Sequence, residues 1–146
     1  MFLLDTNVLS EFVKAVPDLR VLQFVSRLDE DQTFVSTISF AEIKRGIELM
    51  AKGSKKTLLN DWLVNDLTPR FGGRAIDVSR EIAEEWGILM ASAKRSGIGL
   101  GTLDAFIAAT SRVNSLTLVT RNTKDFTSFG ITLANPWLSD DQTEAP

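Results

Sequence analysis

The amino-acid sequence predicts an α/β protein, a three-layer α/β/α arrangement around a central parallel sheet of four to five strands. Two observations predict it. Short apolar runs (Met1 to Leu4, Thr33 to Ile38, Leu116 to Thr120) alternate with longer segments of helical period, and that alternation builds parallel sheets covered by helices on both faces. A chain of 146 residues, 44% hydrophobic and 24% charged, also has the balance of one globular unit able to fill such a core.

Met1 to Leu4 reads as a buried strand ended by Asp5, with Thr6 or Asn7 capping a helix through about Lys14. After Pro17 the spacing of Leu19, Leu22, Phe24, Val25 and Leu28 predicts a second helix. Thr33 to Ile38 is β-branched enough for a strand. Ser39 is expected to open a helix carrying Ile43, Ile47 and Met50 on one stripe, with Gly53 as its stop. Ser54 starts another through Leu67, which Pro69 and Gly72-Gly73 are expected to end. Arg74 to Val78 is a short strand candidate. Ser79 caps a long amphipathic helix carrying Ile82, Trp86, Leu89, Met90 and Ala93 and ending at Gly97. Thr102 is expected to cap a small-residue helix from Leu103 to Val113, and Leu116 to Thr120 is a further buried strand. A turn at Arg121 to Asp125 and a strand near Ile131 to Leu133 complete the unit, which spans residues 1–137. Residues 138–146 form a polar acidic tail expected to be disordered. No apolar run reaches the roughly 18 to 20 residues of a membrane span, and Asp5 interrupts the start too early for a signal peptide, so the expected location is the cytoplasm.

The chain contains no histidine, cysteine or tyrosine. Imidazole bases, thiol nucleophiles, Ser-His-Asp triads and Cys/His zinc sites are therefore excluded, and carboxylates holding hard divalent cations remain. The net charge of −3 conceals an uneven distribution. Setting aside the tail acids Asp140, Asp141 and Glu144 and four candidate site acids leaves a body of about +4. Five bases and one acid lie between Lys44 and Lys56, a run that by itself reads as a solvated helix face.

The four candidate acids are Asp5, Glu42, Asp104 and Asp125, each at a strand end or an adjoining loop or first helical turn, where α/β sheets collect functional groups. Together they would repel one another unless cations occupied the site, and Mg²⁺ or Mn²⁺ held by carboxylates generates a water nucleophile without histidine. Each has a structural alternative. Ser39-Phe40-Ala41-Glu42 has the form of a capping box, Asp104 complements a helix dipole, and Asp125 suits turn chemistry. Asp5 is hardest to explain structurally, because an ionised acid ending an apolar strand needs a partner.

The segments Phe2-Leu3-Leu4-Asp5-Thr6-Asn7, Ser39-Phe40-Ala41-Glu42-Ile43, Leu103-Asp104-Ala105-Phe106 and Thr120-Arg121-Asn122-Thr123-Lys124-Asp125-Phe126, with Asn135-Pro136-Trp137, closely resemble the PIN-domain ribonucleases of the VapC toxin type, especially the FitB-like branch. The resemblance covers Met1 to Trp137. It implies a Mg²⁺- or Mn²⁺-dependent endoribonuclease, the toxin of a toxin-antitoxin pair, held by a VapB-like antitoxin that inserts a segment into the active-site groove. It also implies a homodimer that meets promoter DNA only through the antitoxin. Asp5, Glu42 and Asp104 match the metal-site acids of that family. The fourth position departs from it, with Asn122 where many relatives carry an acid and an acid only at Asp125. Thr6, Asn7, Thr120 and Asn122 are expected to orient water or the scissile phosphate, and Lys44, Arg45 and Arg121 to hold the RNA backbone. The competing reading is a non-catalytic PIN-like module that acts by binding its partner. An aspartyl-phosphate enzyme ranks last, because Asn7 replaces the second acid of Asp-x-Asp. Gly53-Ser54-Lys55-Lys56-Thr57 lacks the Gly-Lys-Ser/Thr adjacency of a phosphate loop.

Overall fold

The computed structural model describes residues 1–138; all of the expected tail except Leu138 lies outside the described residues. Five strands, β1 (Phe2–Leu4), β2 (Thr33–Ser36), β3 (Ala75–Ile76), β4 (Thr117–Val119) and β5 (Leu133–Ala134), form one parallel sheet in the order β3-β2-β1-β4-β5. β1 is central, pairing Leu3 with Phe34 and Leu118, and Leu4 with Val35 and Val119. Alternation along each strand splits the apolar residues between two faces. Leu3 and Leu118 pack under α6 (Arg80–Arg95) and α7 (Thr102–Val113), with Ile82, Leu89 and Ile107 fully buried. Leu4, Val35 and Val119 face the opposite layer, where Val8, Val21, Ile47 and Phe71 complete a second core. The sheet is thus covered on both sides, as the alternating pattern requires.

That second layer comprises α1 (Thr6–Glu11), α2 (Leu19–Ser26), α3 (Thr37–Leu49), α4 (Ser54–Trp62) and α5 (Thr68–Phe71), while α8 (Thr123–Phe126) follows β4. Several boundaries differ from the sequence expectation, each for a local reason. Asp5 itself caps α1, accepting from the Thr6 N–H at 2.7 Å, and α1 ends at Glu11. Ser36, not Ser39, caps α3 by accepting from the Ile38 N–H at 3.1 Å, which cuts the β2 strand at Ser36. Gly53 does not stop α3, which ends at Leu49; it is the N-cap of α4. Gly101 stands at the N-cap of α7 in place of Thr102. Pro69 does not break the helix either. A five-residue π turn, Leu63–Leu67, joins α4 to α5, and the backbone N–H and hydroxyl of Thr68 both turn to the Leu63 carbonyl. The wider turn removes the carbonyl clash that a proline makes inside an α-helix. The final strand lies two residues later than the one expected from Ile131, and part of the expected turn after β4 is helical.

Gly97 ends α6 as expected, at φ 69°, with the Ile98 N–H reaching the Ala93 carbonyl at 2.8 Å. α7 ends in the same way at Ser115, φ 52°, with the Leu116 N–H on the Ser111 carbonyl at 2.9 Å. No helix among the described residues is long and apolar enough to cross a membrane.

Candidate metal-carboxylate site

In the order β3-β2-β1-β4-β5 the strands after β1 are added first on one side and then, from β4, on the other, so the crevice beyond the carboxyl ends of β1 and β4 is where an open α/β sheet binds ligands. Asp5 follows β1 and Thr120 follows β4, and both are buried. The Thr120 hydroxyl donates to Asp5 Oδ2 at 2.7 Å, and the Asn7 amide donates to the same oxygen at 3.2 Å and to Thr120 Oγ1 at 3.3 Å. Thr120 Oγ1 also accepts from the Asn122 N–H at 3.1 Å, while Asn7 Oδ1 faces the Arg121 N–H at 3.4 Å. One hydroxyl therefore ties the first strand end to the loop after the fourth.

Glu42, half-buried on α3, is held by the Thr6 hydroxyl at 2.8 Å, and that hydroxyl lies 3.0 Å from the buried Ser39 hydroxyl. Glu42 therefore looks inward to α1, and the capping box suggested by Ser39 and Glu42 does not form. Asp104 sits in the first turn of α7, half-buried. The Trp86 indole anchors that turn by donating to the Thr102 carbonyl at 3.1 Å while its ring stacks on Phe106 at 5.0 Å. Gly101 leaves room for the acid, since a Cβ there would stand 3.3 Å from Asp104 Oδ2.

The electrostatics connect these acids. Burial raises the pKa of Asp5 and outweighs the lowering by Thr120, Thr6 and Asn7. Glu42 is raised by burial and by the charges of Asp5 and Asp104, despite the Thr6 hydrogen bond. Asp104 is raised by burial and by the charges of Asp5 and Asp125. The charge of Asp5 thus reaches both Glu42 and Asp104, and no basic side chain contributes to the shift of any of these three. Among the described residues, however, no three acids stand close enough to grip one ion together. The arrangement suits an ion that takes one or two carboxylates, keeps waters, and accepts further oxygens from a substrate phosphate, as Mg²⁺ does.

The remaining candidates divide. Thr6, Asn7 and Thr120 are in the hydrogen-bonded network, whereas Asn122 is exposed and joins it only through its backbone. Asp125 is exposed on α8 and reaches the site by charge. Arg121 is exposed beside it, its guanidinium 5.7 Å from the centre of the Trp137 ring. Lys44 turns away to Asn60 and Glu48, each at 2.9 Å, and Arg45 is exposed. Sequence reasoning missed two supports, the Ser39 contact to Thr6 and the Trp137 platform under Arg121. Neither pair has a local pattern, being 33 and 16 residues apart. Beside Glu42 and Thr6 an apolar groove of about 210 Å³ opens, walled by Ile43, Ile47, Met50 and Trp62.

The family profile of the PIN domain matches residues 2–130. Toxin FitB of Neisseria gonorrhoeae is 34% identical over 137 residues, covering 94% of this chain and 99% of that protein. VapC ribonuclease Y4jK of Sinorhizobium fredii is also 34% identical over 137 residues, covering 94% and 98%. The crystal structure of FitAcB from Neisseria gonorrhoeae contains a chain that superposes with a TM-score of 0.88 at 34% identity, covering 95% of this chain and all of that one.

Proposed function

The chain belongs to the PIN-domain family, and on that premise we propose that it is a Mg²⁺- or Mn²⁺-dependent endoribonuclease, the toxin of a toxin-antitoxin pair. The observation that carries the reading is the set of mutually repelling, half-buried or buried acids at the switch point of the sheet, uncompensated by any base. Two of the acids Asp5, Glu42 and Asp104 would hold the ion directly and the third through its waters, with Asp125 at the rim. When bound, the cation acidifies water and offsets the charge that develops on a phosphodiester.

The protein's own groups do the positioning. Thr120 and Asn7 fix the Asp5 carboxylate, and Thr6 fixes that of Glu42, so both acids present set faces to the crevice. Arg121, lying over Trp137, offers a cation to the RNA backbone at the same rim. The groove beside Glu42 suits a segment of an antitoxin that combines apolar side chains with a positive group directed at the acids. The names of the relatives, a toxin and a VapC ribonuclease, support both halves of the proposal. Homodimerisation, a cytoplasmic location, a PIN unit of residues 1–137 and contact with promoter DNA only through the antitoxin belong to the same reading.

The test is RNA cleavage with millimolar Mn²⁺ by wild type and Asp5→Asn. Wild type is expected to cut and the variant to lose about 10²-fold or more of the rate, the loss that follows when a well-placed electrostatic group is removed. A variant cutting at the wild-type rate overturns the site assignment. One observation favours a second reading, a non-catalytic binding module. No three described acids converge tightly. Wild-type protein that cleaves no RNA while binding an antitoxin-type partner would select it.

A further inference from the structure

A second charged feature lies behind the acids. α3 and α4 pack as a hairpin, and a cleft of about 470 Å³, sharing no lining residue with the apolar groove, opens between them. Its walls carry Lys44, Lys52 and Lys56 with the neutral polar Thr57 and Asn60, and one acid, Glu48. Glu48 is shared: Lys44 Nζ lies 2.9 Å and Lys56 Nζ 3.8 Å from its carboxylate. Lys56 also donates to the Glu48 and Met50 carbonyls at the end of α3, at 3.3 and 3.4 Å. Lys52 makes no hydrogen bond or ion pair among the described residues and is exposed at the turn. One carboxylate thus serves two ammonium groups while the third has none, leaving a positive surplus.

The surplus is local. Residues 44–56 hold five bases and one acid, while the rest of the chain holds eleven bases against eighteen acids. A surface cluster of one sign on a chain of the other sign attracts the opposite charge, and here that charge is negative. The hydrogen-bonding partners point the same way: ammonium groups with a hydroxyl and an amide suit phosphate oxygens, and no aromatic or aliphatic residue lines the cleft. α3 also carries Glu42, with Arg45, three residues on, on the same stripe of its surface. A helix is about 10 to 12 Å across, so a flexible single strand needs only a few nucleotides to pass over it.

We propose that the α3–α4 cleft is a second phosphate-binding subsite that holds the backbone of single-stranded RNA away from the point of cleavage. This rests on the ribonuclease reading and extends it to a substrate requirement, because RNA long enough to reach both places binds better than a fragment confined to the acids.

The test uses full-length protein and a labelled single-stranded RNA 20-mer, with binding read by fluorescence anisotropy in EDTA. Lys52→Glu is expected to weaken binding five- to twentyfold at about 0.1 M salt and to lower the slope of log K against log salt by about one. Cleavage of a dinucleotide in Mn²⁺, too short to reach the cleft, is expected to keep its wild-type kcat/KM. Lys56→Gln removes a cap on α3 as well as a charge, so Lys56→Arg is its control, expected to restore 20-mer binding. Unchanged 20-mer affinity and salt slope in Lys52→Glu, with normal cleavage by wild type, overturns the cleft and leaves the ribonuclease reading standing. A wild type that neither binds nor cuts RNA overturns both. Binding of an acidic peptide to the cleft with no effect of Lys52→Glu on RNA also overturns it.

Discussion

Asp5 has two tasks, and they separate by substitution. Its side chain caps α1 through the Thr6 N–H, and it accepts from Thr120 and Asn7 in a buried place with no cation against it. Asparagine keeps the capping oxygen and loses the charge, whereas alanine loses the cap and leaves the Thr120 and Asn7 donors unmet. Metal-free Asp5→Asn is therefore expected to be as stable as wild type or more so, and Asp5→Ala less stable by about 1 to 3 kcal/mol. Urea unfolding in EDTA measures both, and equal losses in the two variants would show that the charge is not costly in the fold. This residue was also the most legible in the sequence, because an acid at the end of an apolar strand has few structural explanations. Glu42 was less so. Its capping-box pattern is real as text, but Ser36 takes the cap and frees Glu42 to bond Thr6. A pattern of four residues does not show which of two nearby serines sits at the strand end.

Helix ends show the same limit at the level of elements. Glycine announces the stop of α6, and the left-handed residue there is Gly97, but α7 closes with Ser115 in that conformation and nothing in Asn114-Ser115-Leu116 forces it. A left-handed residue with a side chain costs roughly 1 to 2 kcal/mol, reduced here by the greater freedom that glycine has when unfolded. Ser115→Gly is expected to stabilise by about 0.5 to 1 kcal/mol, a rise in Tm of about 1 to 4 °C, with RNA cleavage unaffected. Calorimetry checks it, and a fall in Tm would mean that the Ser115 side chain makes a contact worth more than the strain. The π turn is the other element that local reasoning misses. Pro69 reads as a helix end because an ordinary helix clashes with it, and only the widened turn at Leu63–Leu67, fixed by packing of the buried Leu63 and Leu67, lets the chain run on to Phe71. The strands were easier, since β1, β2 and β4 are apolar runs that two layers of helices must cover, while β3 and β5 have two residues each, β3 inside the candidate at Arg74 to Val78 and β5 overlapping only the end of the one near Ile131 to Leu133.

Across the whole molecule the carboxylates fall into two groups with opposite effects on stability. Asp5, Glu42 and Asp104 have raised pKa values, so the folded state binds their protons more tightly than the unfolded chain does, and stability falls as pH rises through the raised values. Glu30, lowered by the Arg70 and Arg74 guanidiniums, and Glu48, lowered by Lys44 and Lys56, act in the other direction: their contribution holds above the ordinary carboxylate value and is lost as pH falls through the lowered one. The metal-free protein is expected to unfold at a higher temperature near about pH 5 than near about pH 7.5, and millimolar Mn²⁺ to remove much of that difference by stabilising the neutral-pH form. Thermal melts in EDTA and in Mn²⁺ decide it; a metal-free protein more stable at the higher pH would mean that the acids do not strain the fold. The Thr120 hydroxyl has a further consequence, in time rather than energy. It is residue 120 of 146, and the carboxylate it orients is residue 5. During synthesis, at about 5 to 20 residues per second, the two cannot meet until β4 has left the ribosome and paired with β1. On the ribonuclease reading, the Asp5 carboxylate stays unoriented while residues 6 to 119 are made, so the site forms only after most of the PIN unit has been synthesised.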